Sequence, residues 1–128
     1  MRETVLIYEM AEDRLKKLKF ILLKQKLRGK VVLRQEYHQP SGYLAGIKEI
    51  LPLEEGNESE RLPGEMLLFA GLSDQRLHLL LSAMRKEGVR VDCKAVLTPE
   101  NSYWNAHKLY HELYEEHQLM HGSSSTGQ

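Results

Sequence analysis

Apolar residues occur along this chain in unbroken runs and in helical stripes, and the two kinds alternate. Residues 4–8 (TVLIY) form a continuous β-branched and apolar run, the mark of a strand buried on both faces. Ala11, Leu15, Leu18 and Leu22 then recur at helical spacing through a lysine-rich stretch, and Gly29 offers a left-handed residue to end that helix. Residues 30–35 (KVVLRQ) return to β-branched side chains and predict a second strand, which the polar stretch 38–42 terminates. Residues 41–51 have room for a short helix, weakened by Gly42 and Gly46 at roughly 1 kcal/mol each relative to alanine. Residues 53–64 (LEEGNESERLPG) are acidic and punctuated by Gly and Pro, so they read as an exposed loop between two halves.

The second half repeats the order. Residues 66–69 (MLLF) are apolar throughout, Ser73 stands at an N-cap with Asp74 behind it, and Leu72 and Leu77 are spaced as a hydrophobic staple. Leu77, Leu80, Leu81 and Met84 make the stripe of this helix, Arg85 and Lys86 occupy its last turn, and Gly88 stops it. Val89, Val91, Cys93, Ala95 and Leu97 alternate with Arg90, Asp92 and Lys94, the period of a strand with one wet face. Thr98 and Pro99 then supply an N-cap and first-turn proline for a long helix carrying Ala106, Leu109, Tyr110 and Leu113 towards Gly122.

These elements predict one α+β domain over residues 1–121, with halves 1–52 and 65–121 joined by the loop 53–64, and a disordered tail at 122–128. A β-α-β unit used twice suits a ferredoxin-like arrangement with an extra C-terminal helix, the first and third strands central and the other two at the edges. A small doubly wound parallel sheet is the alternative if residues 41–51 form a crossover helix. If two helices cover one face of the sheet, the apolar residues of TVLIY and MLLF that point the other way need cover, from the C-terminal helix or from a second subunit in a homodimer.

Composition adds exclusions. The 18 Lys and Arg balance the 18 Asp and Glu, so no global basic field favours nucleic acid. The single cysteine, Cys93, forbids an intrachain disulfide and a four-thiolate zinc site, and suits a reducing, cytoplasmic setting. No export signal or membrane span is legible, so the expectation is a soluble protein with no membrane partner.

Candidate chemistry gathers at the C-terminal end. His107, His111, His117 and His121 lie at helical spacing, but without the glutamate that a zincin pair requires they read as solvated or dipole-facing side chains, and no metal or other cofactor is expected. Glu112 and Glu116 form a like-charged i,i+4 pair suited to a structural ion-pair network, or else to acid/base work beside Lys94 and His117. The turn Thr98, Pro99, Glu100, Asn101 sets free backbone N–H groups beside Lys94, where an anion could sit. Trp104 is a packing anchor one turn further on, and Cys93 an inert core thiol. No phosphate loop, dinucleotide fingerprint or nucleophile elbow is present.

Residues 65–117 also resemble the bacterial family termed domain of unknown function thirty-seven eighty-three, through Lys94 to Pro99 (KAVLTP), Asn101, Trp104, Glu112, Leu113, Glu116 and His117. The first half resembles it in its strand and in Gly42 to Leu44. The family has no assigned activity, so the resemblance implies positions rather than chemistry: Lys94, Thr98, Asn101, Trp104, Glu112, Glu116 and His117 as ligand-binding residues. The expected function is a small binding or regulatory module that self-associates and takes an unknown small ligand or protein partner. An enzyme with an acid/base site at the junction of the fourth strand and last helix is the alternative, and a protein-interaction adaptor a third reading.

Overall fold

The computed structural model describes residues 2–115. Glu116, His117, His121 and the tail 122–128, named above, lie outside the described residues. Four strands, β1 (Thr4–Tyr8), β2 (Arg28–Val31), β3 (Met66–Ala70) and β4 (Cys93–Val96), form one sheet in the order β2-β1-β3-β4. Helix α1 (Glu12–Lys24) joins β1 to its parallel neighbour β2, and α3 (Asp74–Lys86) joins β3 to its parallel neighbour β4. The short α2 (Ser41–Ala45) lies between the halves, and α4 covers residues 106–115.

β1 and β3 are central, as their uninterrupted apolar runs require, and every residue of both is buried. The pairing departs from both predicted topologies. In a ferredoxin-like sheet another strand splits each β-α-β unit, whereas here β1 bonds directly to β2, Thr4 opposite Arg28. A doubly wound sheet is parallel, whereas β1 runs antiparallel to β3, with Thr4 opposite Ala70 and Tyr8 opposite Met66. The fold is therefore two unsplit β-α-β units set side by side in opposite directions. Runs, stripes and glycines are local signals common to all three arrangements, and none of them specifies which strand a neighbour will be.

The two units correspond closely. Thr4 and Met66 begin the central strands, Glu12 and Asp74 begin the helices, and the left-handed residues Glu9 (φ 59°) and Gly71 (φ 79°), Lys26 (φ 57°) and Gly88 (φ 74°) fall at matching places. Both helices end in a Schellman motif: Leu27 N–H donates to Leu22 C=O (2.9 Å) and Val89 N–H to Met84 C=O (2.8 Å). The residue that ends α1 is thus Lys26, not Gly29; Gly29 sits in β2, where an added Cβ would come 2.8 Å from Leu22 Cδ1.

Alternation along the central strands sends side chains to two faces. Val5, Ile7, Leu67 and Phe69 pack beneath Leu18, Ile21 and Leu22 of α1 and Leu80 and Met84 of α3. Leu6, Tyr8, Met66, Leu68 and Ala70 pack on the other side beneath Tyr37, Leu44, Ala45, Leu62 and, from α4, Ala106 and Leu109. The chain itself therefore covers the face for which a second subunit was considered, and that reason for a homodimer falls away.

Helix α2 shows how tightly this second cover is fitted. It stops after five residues because Gly46 turns left-handed (φ 101°). An added Cβ on Gly42 would lie 2.5 Å from Ile50 Cδ1, 2.9 Å from Ser102 Cβ and 3.0 Å from the Ser102 carbonyl oxygen. Ile50 can rotate away, but backbone cannot, so Gly42→Ala is expected to destabilise the protein by about 1–3 kcal/mol in urea unfolding. Among the described residues no helix is long and apolar enough to cross a membrane.

Candidate functional site

The predicted anion turn is used up by its own side chains. Asn101 Oδ1 accepts from Thr98 N–H (2.8 Å), Thr98 Oγ1 accepts from Asn101 N–H (3.0 Å), and Asn101 Nδ2 donates to Val96 C=O (3.1 Å). Ser102 N–H donates to Thr98 C=O (3.0 Å). These local bonds compete with helix formation, and the segment forms a single 3₁₀ turn, Asn101–Tyr103, instead of opening a long helix. Trp104 is extended (ψ 145°), and its carbonyl accepts from the Ser41 N–H (2.9 Å) and hydroxyl (2.7 Å). The last helix starts afresh at 106, capped by Asn105, whose Oδ1 accepts from Lys108 N–H (2.9 Å). Lys108 Nζ stands 5.1 Å over the Trp104 ring.

Asn101 and Trp104 therefore shape a corner. Thr98 faces an apolar depression of about 430 Å³ at the carboxyl ends of β3 and β4, shared with Gly71, Leu97 and Ile50. Glu112 is half-buried on α4 and lines neither this depression nor the cavity that holds Lys94. Of the five expected residues that are described, Thr98 and Asn101 bond each other, whereas Lys94, Thr98 and Glu112 share no cavity; Glu116 and His117 are outside the described residues. Among the described residues no group of three or more His, Cys, Asp and Glu side chains is placed to hold a metal ion.

Lys94 lies in a cavity of about 580 Å³ between α3 and β4. Its floor is Leu81, Met84, Val89 and Val91; its charged groups are Arg85, Arg90 and Lys94, and no carboxylate lines it. The local fold explains this set. The Schellman turn at Gly88 folds Val89 back over Met84, both 2% exposed, and leaves Arg85 on the last turn of α3. Arg14, held by Glu65 through two bonds (2.8 and 2.9 Å), donates to the Arg90 carbonyl and fixes the segment leading into β4. Strand alternation sends Lys94 to the α3 side and Cys93 to the opposite core, where burial pushes the thiol up and leaves it unreactive. Lys94 Nζ donates to the Val91 carbonyl, and Arg90 Nε stands 3.6 Å from the exposed Asp92 carboxylate.

Sequence reasoning named Lys94 but missed Arg85 and Arg90. Arg85 read as a helix-end charge and Arg90 as the wet phase of a strand; the one available signal was four cations, Arg85, Lys86, Arg90 and Lys94, within ten residues on either side of a helix-ending glycine.

A second polar knot lies at the end of β1. The Glu9 carboxylate, 9% exposed, accepts from Tyr37 OH (2.8 Å), Leu62 N–H (3.0 Å) and Arg61 Nε (3.4 Å). Burial and the Glu9 carboxylate hold the Tyr37 phenol protonated well above its ordinary range.

Every residue lining the α3–β4 cavity falls within the stretch that a known family shares. Residues 65–120 match the family described as Domain of unknown function (DUF3783). No curated protein and no solved structure matches the chain. The DUF3783 stretch takes in β3, α3, β4, the 3₁₀ turn and α4, that is, the second β-α-β unit with its corner. The depression at Thr98, by contrast, draws Ile47, Glu49 and Ile50 from outside it.

Proposed function

We propose that this protein is a small cytoplasmic binding module whose ligand is an amphipathic anion, an apolar body carrying a carboxylate or phosphate, seated between α3 and β4. The observation that supports the reading is the cavity itself: an apolar floor, three cations, no carboxylate, and a size within the usual range for small-molecule sites. An apolar body would cover Leu81, the floor residue that is still part-exposed above the buried Met84, Val89 and Val91, while its charge would meet Arg85, Arg90 and Lys94. The cations are exposed, the Arg90 side chain by 90%, so each screened contact contributes at most about 1 kcal/mol. The lone thiol Cys93 supports the reducing compartment.

Titration of the ¹⁵N-labelled protein with decanoate and, separately, with decylammonium tests the reading. Decanoate is expected to shift the amides of residues 84–94, and decylammonium is not. Arg85→Gln combined with Lys94→Gln is expected to weaken decanoate binding on the order of tenfold, two screened charge contacts together. Equal binding of both amphiphiles, or shifts centred elsewhere, would sink the proposal.

A further inference from the structure

The balanced net charge of this chain conceals two segregated blocks. Nine cations and no carboxylate fall between Asp13 and Glu36, whereas residues 49–60 hold five glutamates and no Lys or Arg. Each block is cancelled internally only in part: Arg14, Lys30 and Arg34 pair with Glu65, Glu36 and Glu58. Lys16, Lys19 and Lys24 on α1 are exposed and make no ion pair among the described residues, and the same holds for Glu54, Glu55 and Glu60 of the loop.

Apolar side chains accompany each block. Phe20 and Leu23 stand 59% and 73% exposed among the lysines of α1, and Leu51 and Leu53 stand 75% and 56% exposed beside the glutamates. Large apolar side chains left open on a helix face and on a loop, each with a charged rim, are the composition of a docking surface.

Apart from the Arg34–Glu58 pair, the lysine face of α1 and the acidic loop lie on opposite sides of the molecule. Helix α1 covers the face of the sheet formed by Val5, Ile7, Leu67 and Phe69. The acidic loop is tied over the opposite side: Gln39 bonds Leu53 through both its N–H (2.7 Å) and its carbonyl (3.0 Å), Glu58 pairs with Arg34, and Leu62 enters the core beneath which Leu6 and Leu68 lie. Glu54, Glu55 and Glu60 therefore do not reach the lysine face of their own chain, whereas those of a second copy can.

We propose that the protein self-associates head to tail, the Lys16, Lys19, Phe20, Leu23, Lys24 face of α1 receiving the acidic segment 51–60 of the next copy. Because donor and acceptor surfaces lie on opposite faces, the contact is heterologous and builds a series of oligomers rather than closing as a two-fold dimer. The attraction is electrostatic and long-ranged, so it weakens as the screening length falls from about 30 Å at 0.01 M salt to about 3 Å at 1 M. This surface is separate from the α3–β4 cavity, and the proposal stands or falls apart from the ligand reading.

Sedimentation velocity of the full chain over a concentration series tests it. At low salt the sedimentation coefficient is expected to rise with concentration, and at high salt a 14.8 kDa monomer is expected. Two charge-reversed variants, Lys16→Glu/Lys19→Glu/Lys24→Glu and Glu54→Lys/Glu55→Lys/Glu60→Lys, alter only exposed positions and are each expected to stay monomeric at low salt. Mixed in equal amounts they restore complementary faces, and association is expected to return. A wild-type chain that is monomeric at low salt overturns the proposal. So does association that survives reversal of the loop, a mixture that fails to associate, or binding of the lysine face to anionic vesicles by a protein that remains a monomer.

Discussion

Leu67→Ala and Leu68→Ala are each expected to cost about 3–5 kcal/mol, a large part of the roughly 5–15 kcal/mol that holds a domain together. The two residues are neighbours in β3 and point to opposite faces, and both are 0% exposed. Leu67 packs under α1 and α3, whereas Leu68 sits opposite Leu6 under α2, Tyr37 and α4. Truncating either leaves a cavity that rigid neighbours on three sides cannot close. Were one face of the sheet wet, one of the pair would fall to a small fraction of the other. Urea unfolding of both variants measures this, with Leu23→Ala, at a 73% exposed position, as a control expected to change stability by less than about 0.5 kcal/mol.

Glu9→Ala is the second substitution with a large expected effect, about 2–4 kcal/mol. Glu9 holds a left-handed backbone (φ 59°) at the turn from β1 into α1, where the matching turn of the second unit has Gly71 (φ 79°). A glutamate there is strained by on the order of 1 kcal/mol. Its carboxylate offsets the strain by accepting from Tyr37 OH and Leu62 N–H and by facing Arg61, so it ties the start of α1 to the cover of the second face. Alanine keeps the strain and strands the two donors. Glycine strands the donors but removes the strain, so Glu9→Gly is expected to be about 1 kcal/mol more stable than Glu9→Ala. Equal losses for the two variants would show that the left-handed turn carries no cost.

What the sequence made legible follows the range of each signal. TVLIY and MLLF announced buried strands because both faces demand apolar residues at every position, and β1 and β3 are those strands. The start and end of α3 were readable because they depend on neighbours a few residues away: Ser73 Oγ accepts from Arg76 N–H (3.1 Å), and Gly88 adopts the left-handed turn. The same reasoning failed at α1, since Lys26 takes the left-handed place without being glycine, held there by the burial of Leu27 beyond it. It failed again at residues 98–105, where Thr98 and Asn101 satisfy each other and the Trp104 carbonyl is claimed by Ser41, 63 residues away in sequence. Strand order was illegible for the same reason: it is decided by which segments cover the second face, and those contacts join α2, residues 37–62 and α4 across the whole chain.

The candidate site divides in the same way. Lys94 was visible because it stands beside the Thr98–Asn101 turn and opens the KAVLTP stretch. Arg85 and Arg90 join it only through the Schellman turn at Gly88 and the Arg14 bond to the Arg90 carbonyl, which reaches across from the other unit. The first half carries the counterpart of each element of that unit up to β2, yet Leu23 and Val32 stand where Arg85 and Lys94 do, so only Arg28, opposite number of Arg90, remains of the cation set.

The arrangement of two unsplit β-α-β units in opposite directions is tested most directly by cross-strand proton contacts in a nuclear Overhauser spectrum of the labelled protein. The fold predicts contacts from Thr4 to the neighbourhood of both Arg28 and Ala70, and from Tyr8 to the neighbourhood of Met66. Contacts placing Thr4 beside Met66 and Tyr8 beside Ala70 would make β1 and β3 parallel and contradict the fold, and with it the separation of the lysine face from the acidic loop.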